Sequence, residues 1–229
     1  MQKFLSKVAL AFIAICAFAG TSMAQGINIS LDGESMQAFG KGNLLVKGSP
    51  YLYKDWSKGS VKLTNGVVYE GMNLMYDQTK DMLIFKADGE QRQKFLHPVQ
   101  EFILQEEVNN VIVDERTFRN GYPLTDGIGP AAFYEVLADG KTQLLKRISK
   151  SIVEEREDNS ITKTKMYKES VRYYLATDGK LTKISKNKKA VFEALGKDTA
   201  ALDKYIKDNK LNIREDNDLA KLVTYANTI

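Results

Sequence analysis

Between residues 58 and 184 apolar and polar side chains alternate in short runs, the pattern of strands that bury one face. Residues 58–69 alternate about Asn65-Gly66, a pair that predicts a two-residue type I′ hairpin turn. Further runs follow at 74–77, 81–86, 95–99 and 101–104, and residues 111–118 open on the β-branched run Val111-Ile112-Val113. Two sister hairpins come next. Phe133-Tyr134-Glu135-Val136-Leu137 leads through Asp139-Gly140 to Leu144-Leu145, and Arg172-Tyr173-Tyr174-Leu175 leads through Asp178-Gly179 to Leu181 and Ile184. Residues 144–153, with Leu144, Leu145, Ile148 and Ile152, suit a helical face or a long strand. Strand is the better reading, because the segment leaves one Asp-Gly turn and returns through Ile161 to Tyr174. The charged residues 154–160 form the exposed tip between them.

Past Ile184 the period lengthens. Val191, Phe192 and Leu195 share a helical face that stops at Gly196. Asp198 predicts an N-cap ahead of Leu202, Tyr205 and Ile206, and Asp216 or Asn217 predicts one ahead of Leu219, Leu222, Val223 and Ala226. Helices this short bury little alone, so they are expected to close over the sheet. The fold class is therefore α+β: mainly an antiparallel meander or roll, open or half-closed into a barrel, followed by three short C-terminal helices. Residues 25–48 read as a Gly-rich lead-in with an edge strand near Leu44-Leu45-Val46, 49–186 as the β domain, and 187–229 as a helical cap packed on it. Residues 120–130, with three glycines and two prolines, form a loop.

The N-terminus changes the picture. Lys3 and Lys7 precede the apolar run from Val8 to Ala19, and Ser22-Met23-Ala24 supplies small side chains for a signal peptidase. The run is shorter than the roughly 20 residues of a spanning helix. A secretory signal peptide over 1–24, cleaved after Ala24, places the protein in the periplasm or outside the cell. Removing 24 of the 229 residues leaves 205, and taking Lys3 and Lys7 from the net charge of +4 leaves +2. Ile15 before Cys16 argues against lipoprotein processing. Cys16 is the single cysteine and leaves with the signal, so disulfide and thiolate chemistry are not expected in the mature chain.

Charge adds little. The basic cluster Lys180, Lys183, Lys186, Lys188 and Lys189 is too narrow for a nucleic-acid face, and no nucleic-acid partner is expected. Candidate chemistry is sparse. His97 is the only histidine and lies between Leu96 and Pro98, which suits a structural or surface role. No Gly-x-Ser-x-Gly elbow or phosphate-cradling glycine motif occurs. On a strand, neighbours point to opposite faces, so none of the adjacent acidic pairs Glu106-Glu107, Asp114-Glu115 and Glu154-Glu155 forms a ready acid/base dyad. No catalytic residue, metal site or cofactor is expected. Aromatic residues remain: Trp56, Tyr122, Tyr134, Tyr173 and Tyr174 are the candidate ligand-binding residues, with packing as the simpler role for strand tyrosines. In Tyr173-Tyr174 the two rings must face opposite sides of the sheet.

The second half of the chain resembles a group of secreted or periplasmic proteins of Bacteroidota. The likeness rests on Phe133-Tyr134-Glu135-Val136-Leu137, Tyr173-Tyr174 before an Asp-Gly-Lys turn, and Ala201-Leu202-Asp203-Lys204-Tyr205-Ile206-Lys207, with Tyr225 near the end. These are turn and packing residues, so the resemblance implies a fold and an exported location and no chemistry. The reading is an exported, non-enzymatic binding or interaction module whose partner is a protein, lipid or glycan of the envelope, with no transmembrane segment after cleavage. The alternatives are an envelope hydrolase with carboxylates from separate strands, and a structural accessory of an outer-membrane complex. Outer-membrane barrels need uniform strands of about ten residues with an apolar lipid face, which these short charged runs do not supply.

Overall fold

The computed structural model describes residues 46–87, 91–109, 111–156 and 163–229. The expected signal peptide, most of the expected lead-in and most of the charged segment expected as a tip at 154–160 lie outside the described residues. Eleven strands form one open sheet: β1 (Val46–Lys47), β2 (Ser57–Leu63), β3 (Val68–Asp77), β4 (Met82–Lys86), β5 (Arg92–Lys94), β6 (Val99–Val108), β7 (Val111–Arg119), β8 (Tyr134–Ala138), β9 (Thr142–Arg156), β10 (Lys163–Thr177) and β11 (Lys180–Ile184). Three helices follow, α1 (Lys188–Leu195), α2 (Thr199–Asp208) and α3 (Asp216–Ala226). The expected antiparallel sheet with a C-terminal helical cluster is what forms, and the sheet is not closed into a barrel. The edge strand expected near Leu44–Val46 is β1 at Val46–Lys47, and it runs parallel to β10.

Hairpins connect β2 through β5, but β6 returns to pair with β2 instead of β5. From β6 to β11 the sheet is again a meander. Residues 142–156 and 163–177 pair over fifteen positions as β9 and β10, a ribbon about 50 Å long at ~3.4 Å per residue. The Asp178-Gly179 turn has positive φ at both residues, 50° and 74°, as a type I′ turn requires. Asn65-Gly66 departs from that expectation. Only Gly66 is left-handed (φ 87°), and Leu63 N–H donates to Val67 O at 2.9 Å. The loop therefore has three residues, and the Asn65 side chain accepts from Val67 N–H at 3.1 Å, a bond that holds Asn65 out of the left-handed region.

Strand registers place Phe102, Phe118, Glu135, Lys146 and Tyr173 in one row across β6 to β10. Along that row the sheet buries its face in two ways. In the first half it curls on itself around Phe102 and Phe118, whose rings stack at 4.8 Å, with Tyr76 at 5.2 Å from both. In the second half the helices cover Leu144, Leu175 and Ile184 with Val191, Leu202, Leu219 and Leu222. Each such fully buried side chain contributes about 1.5–3 kcal/mol. The opposite face of β8–β11 buries Tyr134, Leu145 and Tyr174 beneath the 120–133 loop.

The helices are pinned by polar contacts as well. Asn187 caps α1 and Asp198 caps α2 through bonds to the first-turn amides. The predicted Asp216 cap is different: Glu215 occupies that position and makes no side-chain cap bond, while Asp216 is the first helical residue. Its carboxylate instead takes Lys146 and Lys186, each at 2.7 Å, and the Tyr173 hydroxyl at 2.7 Å. At the other end of α3, the Asn227 amide accepts from Thr142 N–H and donates to Thr142 O. A Cβ at Gly140 would run into that amide, so the Asp139-Gly140 turn is read by the helical cap.

Asp216 sets a pH dependence. Burial works to raise its pKa, but the hydrogen bonds from Lys146, Lys186 and Tyr173 outweigh it and hold the carboxyl at about 2. Such a depressed group stabilises the fold above the unfolded value of 3.8 and ceases to do so as pH falls through about 2. Helical-cap signals, followed by NMR, are expected to weaken between about pH 4 and pH 2, and Asp216→Asn is expected to remove most of that dependence.

Candidate functional site

The structure brings three of the five aromatic candidates together. Tyr134 meets Tyr122 at 5.3 Å and Tyr174 at 5.4 Å, both edge to face. They form the packing under the Gly- and Pro-rich loop: Tyr122 is 9 %, Tyr134 1 % and Tyr174 0 % exposed. Burial pushes the Tyr134 hydroxyl up to about 12. The loop is tied down where Gly121 N–H donates to Pro130 O at 2.7 Å and Lys183 pairs with Asp126 at 3.2 Å. Tyr173 lies on the other face, its ring under Lys186 at 4.4 Å and its hydroxyl on Asp216. Trp56 packs beside Tyr51 and Met75 with Arg92 5.9 Å above its ring. Neither ring of Tyr173-Tyr174 is left free, because both faces of this part of the sheet are covered.

Buried carboxylates are engaged as well. Both Glu135 oxygens accept from Arg116, at 2.6 Å each, and the Arg116 pKa, which burial works to lower, is raised on balance by those bonds. Asp77 accepts from the amides of Thr79 and Lys80 at 2.8 and 2.9 Å. Asp81 pairs with Arg147 at 2.9 Å and accepts from the Tyr76 hydroxyl at 2.5 Å. Arg147 also donates to Phe133 O at 2.8 Å, so this cluster ties the β3–β4 turn to β8 and β9. Beside it, Lys150 N–H donates to Gln78 O at 3.0 Å and Lys150 Nζ to Tyr51 O at 2.6 Å. These groups hold the curl of the sheet. His97 lies exposed in a bend. Among the described residues no three His, Cys, Asp or Glu gather as a metal site, and no helix is long and apolar enough to cross a membrane.

The surface is different. On the helical cap, Tyr205 and Tyr225 stack at 4.0 Å in nearly parallel planes and floor a shallow open cleft with Asn217, Lys221 and Thr224. The larger departure from ordinary surface chemistry is the far end of the β6–β7 hairpin. Val108, Val111, Ile112 and Val113 are 50 %, 62 %, 51 % and 56 % exposed. Beyond Gln105 β6 no longer pairs with β2, and β8 meets β7 only at Phe118 and Arg119. Among the described residues, then, no strand takes the outer side of Val111 to Thr117. A free edge of β-branched apolar residues is a template for another strand. Glu106, Glu107, Asp114 and Glu115 surround it, all exposed. A bulge between Glu106 and Glu107 marks where the hairpin leaves the sheet. One sequence signal was available: Val111-Ile112-Val113 breaks the period-two alternation, and three consecutive apolar residues cannot all face one core.

No protein-family model, curated protein or solved structure matches the chain.

Proposed function

We propose that the protein is an exported, non-enzymatic interaction module of the cell envelope that binds a protein by accepting an extended segment along the free edge of β7. The observation that carries this reading is the exposure of Val111, Ile112 and Val113 on an unpaired strand edge. Edge strands in soluble proteins are usually blunted by charge, proline or a covering element; here carboxylates flank the run, but its three consecutive apolar side chains stay exposed. Strand addition takes its affinity from main-chain hydrogen bonds and its specificity from alternate side chains. The hydrolase alternative is not favoured, because the buried carboxylates Glu135 and Asp77 and the half-buried Asp81 are each committed to an arginine or to backbone amides.

Native mass spectrometry of tagged protein recovered from an envelope extract tests the reading. A defined complex heavier than one chain is expected, and Ile112→Lys, an exposed substitution, should abolish it while leaving the fold intact. Recovery of the bare chain alone, or a complex indifferent to Ile112→Lys, would count against it.

A further inference from the structure

The free edge of β7 has a complement elsewhere on the same molecule. β9 borders β10 along one whole side. On the other side β1 reaches only Lys165 and Met166, and β11 reaches only Tyr173 to Thr177. Between them, Tyr167 to Arg172 presents an edge with which no described strand pairs. The chain itself turns away there: Gly48, at φ 96°, packs on Tyr167 and carries the backbone across the ribbon towards Tyr51 and Lys150. This stretch is basic. Lys168 and Arg172 in it outnumber Glu169, and Lys165, paired with β1, adjoins its start. The pairs Lys165–Glu154 and Lys168–Glu155, at 3.9 and 3.8 Å between exposed groups, are weak. Val171, 41 % exposed, adds an apolar contact.

We propose that the strand received by β7 is β10 of a second copy of this chain, so that copies associate head to tail, the hairpin end of one lying between β1 and β11 of the next. The proposal rests on the reading of the β7 edge as a docking site. Charge selects the arrangement. Two hairpin ends meeting each other would set Glu106, Glu107, Asp114 and Glu115 against the same residues, and like charges across a strand pair are destabilising. Hairpin end against ribbon instead sets these carboxylates against Lys165, Lys168 and Arg172. A membrane is disfavoured on the same ground, since surface-seeking apolar elements carry Lys and Arg for anionic headgroups and this one carries acids. The contact uses two different surfaces, so it propagates as a chain of copies instead of closing on a two-fold axis.

Sedimentation velocity on the mature protein tests it. The mean mass is expected to rise with concentration at low salt and to fall back towards one chain in high salt, as charge screening requires. Asp114→Lys/Glu115→Lys and Lys165→Glu/Lys168→Glu change exposed side chains only, and each pair should weaken self-association by about tenfold or more. Mixed one to one, the reversed hairpin of one variant meets the reversed ribbon of the other with opposite charges, so the mixture should regain the self-association that each variant alone has lost. A monomer at every concentration, a closed dimer indifferent to both variants, or binding through the hairpin end to phosphatidylglycerol vesicles would overturn the proposal. If the chain stays monomeric while a photo-reactive residue at position 112 captures a different protein, self-association falls and the docking reading stands. If neither occurs, both fall.

Discussion

Glu135→Ala should destabilise the protein by about 3–5 kcal/mol, because it strands a charge. Glu135 is 6 % exposed and accepts both arms of the Arg116 guanidinium. Arg116 lies at the edge of the aromatic core, 5.5 Å from the Phe118 ring, with its own side chain 16 % exposed. With the carboxylate gone, the guanidinium must stay unpaired in that setting or pull β7 outward to reach water. At ~2–4 °C per kcal/mol for a chain of this size, the midpoint of thermal unfolding should drop by about 6–20 °C. Replacing both partners tests the cause. Arg116→Met/Glu135→Leu removes both charges and keeps the volume, so it should recover most of the loss. Urea unfolding of the two variants beside the unchanged protein decides it; a loss in Glu135→Ala below about 1 kcal/mol would show the pair to be effectively solvated.

Arg147→Met should cost about 2–4 kcal/mol, through the curl of the sheet and not through one layer of core. Arg147 pairs with Asp81, donates to Phe133 O and lies 5.6 Å from the Tyr134 ring. It thereby joins a turn between β3 and β4 to the start of β8. Asp81 holds a left-handed conformation, φ 54°, that asparagine also tolerates. Asp81→Asn can therefore be combined with Arg147→Met in a double-mutant cycle without backbone strain. A coupling energy of about 1–3 kcal/mol is expected. Additive losses would mean the two side chains act independently and the curl is held by apolar packing alone.

Much of this architecture was legible in local chemistry. Asp178-Gly179 specified its turn, a strand over residues 144–153 followed from the need to leave one Asp-Gly turn and return to Tyr174, though β9 runs on to Arg156 into the expected tip, and the helices were marked by their apolar spacing, with Asp198 also marking the start of α2. The failures share a cause. Asn65-Gly66 built a three-residue loop because one side-chain bond to Val67 settled a competition that dipeptide identity leaves open. Asp216 was read as a cap, yet two lysines and a tyrosine across the sheet hold its carboxylate more strongly than its own helix does. The pairing of β6 with β2 is a tertiary choice among strands of similar pattern. The tyrosine candidates met the same limit: alternation separates Tyr173 from Tyr174 by face, but only the packing of the helices on one side and residues 120–133 on the other shows that both faces are covered. The docking edge was in view as a β-branched run, and its exposure depended on where β2 and β8 stop.

Position-specific photo-crosslinking tests the central claim most directly. With a photo-reactive amino acid at Ile112 in cells that produce the protein, illumination should yield discrete adducts, spaced by the mass of one chain where copies associate head to tail. The same residue at Lys189, exposed on the helical cap, should yield none. No adduct at Ile112, or the same diffuse products from both positions, would contradict the assignment of the β7 edge as the surface through which this protein works.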